Sequence, residues 1–482
     1  MDPHWEIWII GEPFGIGATS TLLRYHHGSG NVTNILLDFG IGFDRGRDGK
    51  DIHYVASEDM LAGIEIHVIV LTHAHLDHSG AIPYIARKHP EATILTSRTT
   101  LPSATILWQD TLKIQRSDAM RAMRGGTELP PAAFTETDFK AFFEHQGLTL
   151  VNDEGEWIFD LRGMDIGLWP NGHLRGSMCV SLVPQDGGTP LFATGDLAFH
   201  DQETVRGFRL PGQEFFGEDN IFARRPIVLT EATNGGRSPL RSRGEEKARF
   251  VADVGRVIAG DGVVFIPTFT LGRIANVATM LIEAGHSVYI DGLAKKFVKN
   301  EIPNYSDLIL EGKIKLFPDG EDPVSWGQAK GFRRAVARGQ HGPAIILAGS
   351  ATMDQGWASF YAPTVLAEQK NAVYFTGHVF PHTSAEATLR LKGTRGNCVV
   401  IPGWRGQISA PVNCEVEHYD FTSHAYGENI ADFIIGLNPS AIVAHHGDQE
   451  GIFGLREKIA ARQSVRIPFI WGSHSSKIQL PA

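Results

Sequence analysis

Apolar and polar positions along the chain fall into two periodicities, and the changes between them mark its elements. Residues 18–25 and 32–37 are rich in β-branched and apolar side chains and flank Gly28-Ser29-Gly30, which predicts a hairpin ending at Asp38. Residues 64–71 are mostly apolar and predict a buried strand. Helical spacing follows over 81–86, then a strand over 93–97 and a long helical region around 106–115. The charged run 116–126 reads as flexible by composition. Thr135, with Asp138 three residues on, is a capping box that opens another helix.

Beyond Ile227-Val228-Leu229-Thr230, a short buried strand, helix and strand alternate. A helix over 245–259 stops at Gly260, a strand covers 263–267, and Leu271-Gly272-Arg273 opens the next helix. Strands are predicted over 287–290, 344–347 and 372–375, giving an α/β lobe with a largely parallel sheet. A helix over 429–437 and a strand over 441–444 close the chain. At 482 residues, two lobes are expected rather than one core.

The candidate chemistry lies where the 64–71 strand ends, in Thr72-His73-Ala74-His75-Leu76-Asp77-His78-Ser79-Gly80. Imidazole and carboxylate donors this dense suit zinc and its first-row neighbours. Single histidines carry no such signal: His67 reads as a packing residue of its strand, and His26 and His27 as surface residues beside a turn. Cys179, Cys398 and Cys414 are too far apart for a cysteine zinc site and read as buried thiols. The first residues carry neither a basic leader nor an apolar run long enough for a membrane span, so a cytoplasmic protein without a membrane partner is expected.

The HxHxDH pattern resembles the signature of the metallo-β-lactamase superfamily, and further motifs of that family follow in order. Asp38 ends an earlier strand, His173 lies in Gly172-His173-Leu174-Arg175-Gly176-Ser177, and Asp196 lies in Thr194-Gly195-Asp196. The remainder resembles the β-CASP branch, whose members process nucleic acid. Glu231 matches its acidic motif, His424 the histidine of its second motif, and His446 that of its third, with Asp448 in place of the usual Glu. His445 is an adjacent alternative, but Gly447-Asp448 sets the register on His446. This pairing resembles that of the endonuclease subunit of the cleavage and polyadenylation machinery and its archaeal and bacterial relatives.

The resemblance implies an α/β fold: an αββα metallo-β-lactamase sandwich over 1–235 and 412–482, with an inserted α/β β-CASP cap over 236–411. It implies two divalent ions, zinc or alternatively manganese. His73, His75 and His173 would hold one, Asp77, His78 and His446 the other, and Asp196 would bridge, with Asp38 and His445 behind the ligands. The expected activity is hydrolysis of RNA phosphodiester bonds by a metal-bound hydroxide, leaving 5′-phosphate and 3′-hydroxyl ends. Asp77 would act with the metals, His424 as general acid and Glu231 as its partner. A DNA nuclease, a small-molecule metallo-hydrolase and a non-catalytic RNA-binding subunit are the alternatives. A histidine in the third motif favours ribonuclease, and the full set of ligands argues against a non-catalytic subunit.

Charge sharpens the choice of partner. Net charge is −10, yet residues 236–411 carry 21 Lys+Arg against 15 Asp+Glu, a balance of +6, and the rest carries 23 against 39, a balance of −16. A basic cap suits single-stranded RNA. Arg237, Arg241 and Arg243 after the acidic motif, with Arg273 at its helix start, are the candidate phosphate contacts, and Arg333, Arg334 and Arg338 form a second basic cluster. A protein partner or a homodimer is left open.

Overall fold

The computed structural model describes residues 2–11, 15–45, 51–125, 132–210, 221–320, 322–403, 406–463, 466–472 and 477–481. They form two compact units: Met1–Asp201, Val205–Ser238 and Ser423–Ala482, and Gln202–Thr204 with Pro239–Thr422.

The first unit is built on two seven-stranded sheets. One runs Lys477–Pro481, His4–Ile9, Thr21–His26, Val32–Leu37, Val68–Leu71, Thr93–Ser97 and Leu148–Val151, antiparallel at its start and parallel from Val32–Leu37 onward. The other runs Phe469–Trp471, Ala441–His445, Ile227–Glu231, Leu191–Ala193, Met178–Pro184, Met164–Pro170 and Glu156–Ile158, with its first four strands parallel. Two-residue alternation sends Trp5, Ile7, Leu23, Val68 and Val70 of the first sheet into one core with Ile166, Leu182, Leu229 and Val443 of the second. Each such side chain contributes about 1.5–3 kcal/mol when fully buried.

Helices cover the outer faces. Trp108 of Thr100–Gly125 packs edge-on against Phe142 of Glu136–Phe143 and donates its indole N–H to the Ser79 carbonyl at 2.9 Å. On the other side, Ile430 and Ile434 of Gly427–Leu437 and Ile452 and Leu455 of Gln449–Ala460 join the cluster containing Ile442 and Ala444. The result is the αββα sandwich expected from the motifs.

Three local expectations change. The strand preceding the histidine cluster is only Val68–Leu71, because ladder pairing on both sides begins at Val68 and a turn from Leu61 to Ile64 bends the segment before it. Residues 116–125 continue the helix Thr100–Gly125, while Gly126 lies outside the described residues. Alanine, methionine and arginine are strong helix formers, so charge there signals a solvated helix. Cys398 is exposed, whereas Cys179 and Cys414 are buried.

The second unit holds a six-stranded, wholly parallel sheet in the order Ile314–Leu316, Val288–Asp291, Ala344–Ala348, Val263–Pro267, Ala372–Phe375 and Glu415–His418. Glu415–His418 carries this unit past residue 411. Its helix Arg243–Ala259 begins in a Ser242–Glu245 capping box and ends at Gly260. Arg333 belongs to the core instead of a basic surface: its guanidinium donates to both Asp291 oxygens at 2.6 and 2.7 Å and stacks on Trp357, 3.9 Å from the ring centroid.

Arg333→Ala strands the buried Asp291 carboxylate, and denaturant unfolding followed at the second unit should show a loss of about 3–5 kcal/mol. A loss below about 1 kcal/mol would mean that the pair behaves as a solvated one.

Candidate metal centre and catalytic site

The candidate ligands lie in the first unit, at or just after strand C-terminal ends or in the connecting turns. Asp38 follows Val32–Leu37, His73 and His75 follow Val68–Leu71, and Asp77 and His78 occupy the helical turn Leu76–Ser79. His173 lies between Met164–Pro170 and Met178–Pro184, Asp196 follows Leu191–Ala193, and His446 follows Ala441–His445. Two close approaches need glycine. A Cβ at Gly40 would lie 1.7 Å from the Asp77 carbonyl oxygen, and one at Gly195, whose φ is +54°, would lie 2.9 Å from Asn171 Nδ2. Asp38 and His446 themselves have φ of 57° and 47°. Residues other than glycine seldom adopt that conformation, and functional sites are where it is retained.

Two nitrogen clusters meet at one carboxylate. His75 Nδ1 lies 3.3 Å from His73 Nε2 and 3.2 Å from His173 Nε2. Asp196 Oδ2 is 3.6 Å from both Nε2 atoms. In the second cluster, His78 Nε2 and His446 Nε2 are 3.3 Å apart, and Asp77 Oδ2 is 3.9 and 3.4 Å from them. Asp196 Oδ1 lies 3.4 Å from His78 Nε2 and 3.2 Å from His446 Nδ1.

These separations fit a metal. Nitrogen ligands about 2.0–2.1 Å from a tetrahedral zinc stand roughly 3.3 Å apart, the spacing seen between the imidazole nitrogens. Asp196 Oδ1 is buried and, among the described residues, accepts no hydrogen bond, a costly state without a cation. Burial holds His73 and His173 well below the usual imidazole range and His75 down at about 4, which keeps their lone pairs available. His78 is the exception: burial opposes its charge, but the carboxylates of Asp196, Asp38 and Asp77 outweigh it and raise its pKa well above the usual value. A proton there offsets carboxylate charge that a metal ion would otherwise balance.

Residues behind the donors set ring orientation. His78 Nδ1 donates to Asp38 Oδ2 at 2.7 Å, while Asp38 Oδ1 accepts from the Thr72 amide, also at 2.7 Å. His173 Nδ1 donates to the Ser423 carbonyl at 2.9 Å, leaving Nε2 for the cluster. Asn171 Oδ1 accepts from the His173 amide and from Ser177 Oγ, which fixes the loop. Thr233 is a contact that the motif reading missed: its hydroxyl donates to the His446 carbonyl at 3.2 Å and lies 3.1 Å from His446 Nδ1. The available signal was its position two residues after Glu231. Asp448 caps the helix Gln449–Ala460 through the Gly451 amide, a role its short side chain suits. His445 is half-buried at its strand end, its pKa held near 3 chiefly by burial.

His424 Nδ1 lies 2.8 Å from Glu231 Oε2, and Glu231 Oε1 accepts from the Leu197 amide at 2.5 Å. The His424 ring stands 4.6 Å from that of His173, centroid to centroid. Burial works against charge on His424, but Glu231, then Asp196 and Asp77, hold its pKa up at about 9. Glu231 is fully buried.

The arginines differ in their surroundings. Arg237 is exposed and donates to Asn234 Oδ1 at 3.0 Å. In the second unit, Arg241 is exposed and 3.8 Å from Glu246, Arg243 pairs with Glu203 at 2.8 Å, and Arg273 is buried. His27, read as a surface residue, is buried with Nε2 2.8 Å from Thr33 Oγ1. Among the described residues, no helix is long and apolar enough to cross a membrane.

Histidine and carboxylate donors fixed on the strand ends of an αββα sandwich characterise a class of metal-binding hydrolases. Residues 15–225 match the metallo-beta-lactamase superfamily, and residues 409–468 match the Zn-dependent metallo-hydrolase RNA specificity domain. The chain is 23% identical over 429 residues to the probable RNase MJ4 of Methanocaldococcus jannaschii, covering 86% of this chain and 88% of that one. It is 26% identical over 412 residues to ribonuclease TTHA0252 of Thermus thermophilus, covering 83% and 85%. With cleavage and polyadenylation specificity factor 73 of Drosophila melanogaster it shares 24% identity over 434 residues, covering 88% of this chain but 57% of the relative. A crystal structure of a protein of unknown function from Enterococcus faecalis V583 shares the fold at TM-score 0.56 and 13% identity, over 99% of this chain and 100% of that one. Residues 15–225 are thus similar to the metallo-β-lactamase superfamily, and the chain is similar along most of its length to relatives named as ribonucleases.

Loss of an orienting partner should loosen metal without removing a donor. Asp38→Ala and Thr233→Val are each expected to weaken zinc retention about 10–100-fold in competition with a chelator, with Thr233→Ser close to wild type. Retention equal to wild type in Thr233→Val would show that the hydroxyl has no orienting role.

Proposed function

We propose that the protein is a metal-dependent ribonuclease that hydrolyses phosphodiester bonds of single-stranded RNA. The observation that carries this reading is the His424–Glu231 pair beside the donor clusters, an acid in position to protonate a leaving oxygen. Two relatives named as ribonucleases and the match to an RNA specificity domain over 409–468, which includes His424 and His446, support RNA as the substrate.

His73, His75, His173 and Asp196 would hold one divalent ion, and Asp77, His78, His446 and Asp196 a second, with zinc the expected metal and manganese the alternative. When bound, such ions supply Lewis acidity that lowers the pKa of water and offsets charge on the scissile phosphate. The residues of the chain do the rest. Glu231 accepts the Nδ1 proton of His424 and thereby presents Nε2 as the acid. As water oxygen bonds to phosphorus and gives up one proton to solvent, the bond to the 3′-oxygen breaks and the Nε2 proton passes to that oxygen, leaving 3′-hydroxyl and 5′-phosphate ends. Asp38 and Thr233 keep the His78 and His446 rings in place, and His445 stands at the strand end beside His446. Arg237 and Arg241 are the phosphate contacts this reading favours, since Arg243 is committed to Glu203 and Arg273 is buried.

His424→Ala is expected to keep wild-type metal content and lose about two to four orders of magnitude in RNA cleavage rate. Unchanged cleavage at unchanged metal content would remove His424 from the reaction. In metal-loaded His424→Ala protein, Arg237→Ala and Arg241→Ala should each flatten the salt dependence of RNA affinity by roughly 0.7 in log–log slope. An unchanged slope in both would exclude them as phosphate contacts.

A further inference from the structure

On the face of the first sheet opposite the shared core, two adjacent strands bring together donors that no part of the proposed reaction uses. In His4–Ile9, residues Trp5, Ile7 and Ile9 face the core, so alternation turns His4 and Glu6 the other way. The antiparallel register sets His4 opposite His26 and Glu6 opposite Arg24 on Thr21–His26. His4 and His26 therefore lie directly across from one another, and Glu6 is the diagonal neighbour of His26. Their rings stack with centroids 4.3 Å apart and planes within 5°.

Each of the three side chains has a donor atom to offer. His4 Nδ1 lies 3.0 Å from the Asp2 carbonyl oxygen, to which it donates, so Nε2 carries the lone pair. This is the arrangement that orients metal-ligating histidines, one ring nitrogen on a carbonyl and the other on the ion. His26 Nε2 is buried and, among the described residues, has no hydrogen-bond partner, although it lies 3.5 Å from Glu6 Oε1. Arg24 occupies the other Glu6 oxygen, donating to Oε2 at 2.9 Å and to Asn34 Oδ1 at 3.1 Å, so Oε1 is held toward His26. One ligand atom from each of His4, Glu6 and His26 lies within 4.8 Å of the others. Ligands on a tetrahedral zinc stand roughly 3.3 Å apart, so closing the site on an ion requires side-chain rotation that shortens these separations.

The geometry points to a peripheral divalent-metal site formed by His4, Glu6 and His26, which takes zinc or a similar imidazole-binding cation and fastens the first strand to the second. Water completes its coordination. Two imidazoles and one carboxylate disfavour magnesium and calcium, which prefer all-oxygen sites. The site stands on strands that contribute none of the donors of the catalytic cluster. Its occupancy is therefore expected to alter stability with little effect on cleavage.

The test is a count of metal per chain in full-length protein. Wild type, His26→Gln and His4→Ala are loaded with zinc, freed of excess by dialysis and compared by elemental analysis, with thermal melting measured before and after loading. The expected result is one zinc equivalent fewer in each variant, a smaller zinc-induced rise in melting temperature, and metal-free melting close to wild type. Equal zinc content in wild type and His4→Ala overturns the site. His4→Ala decides the case even if His26→Gln fails to fold, because His4 is partly exposed while its strand is held in the core by Trp5 and Ile7. The comparison is a difference between chains that share the same catalytic donors, so it stands or falls separately from the ribonuclease reading.

Discussion

A carboxylate buried among imidazoles is the constraint on which the first unit depends. Asp196 is 2% exposed and faces four histidine rings, with one oxygen toward His73 and His173 and the other toward His78 and His446. Asp38 and Asp77 add negative charge around the same group of rings. Such a concentration of buried anions is tolerable only with cations in place. The strand ends, the Gly40 and Gly195 approaches and the left-handed backbone at Asp38 and His446 all serve to keep these groups together.

Much of this could be read from the chain because the ligands come in short runs after recognisable strands. His73, His75, Asp77 and His78 fall within six positions, and the turn around His173 carries its own glycine and serine. The choice of His446 over His445 followed from Gly447-Asp448, and His446 is the one whose Nε2 faces His78 and Asp77. The helix over 245–259 and the capping box at Thr135 were legible for the same reason: each is decided by residues three or four apart.

What the chain concealed depends on register between distant segments. The contact of Thr233 with His446 spans 213 residues, and its position two residues after Glu231 does not by itself show which ring it meets. Arg333 looked like one of three basic surface residues, but its partner Asp291 is 42 positions away on a buried strand. His26 stands beside a turn in the sequence, and its place opposite His4 is set by the pairing of two strands. Charge composition misled in a second way, since the run over 116–125 is as compatible with a solvated helix as with a flexible segment.

The basic balance of residues 236–411 retains meaning for nucleic-acid binding, but fewer arginines can contribute to it than a count suggests. Arg243, Arg249 and Arg333 are each paired with a carboxylate within the second unit. The central claim, that this donor set makes the chain a metal-dependent ribonuclease, is tested most directly with pure protein stripped by chelator and reloaded with zinc or manganese. RNA and DNA of the same sequence, labelled at either end, are the substrates. The account predicts no cleavage by the stripped protein, restored cleavage of RNA well ahead of DNA, and products bearing 5′-phosphate and 3′-hydroxyl. Cleavage that survives complete metal removal, or reloaded protein that cuts DNA in preference to RNA, would contradict it.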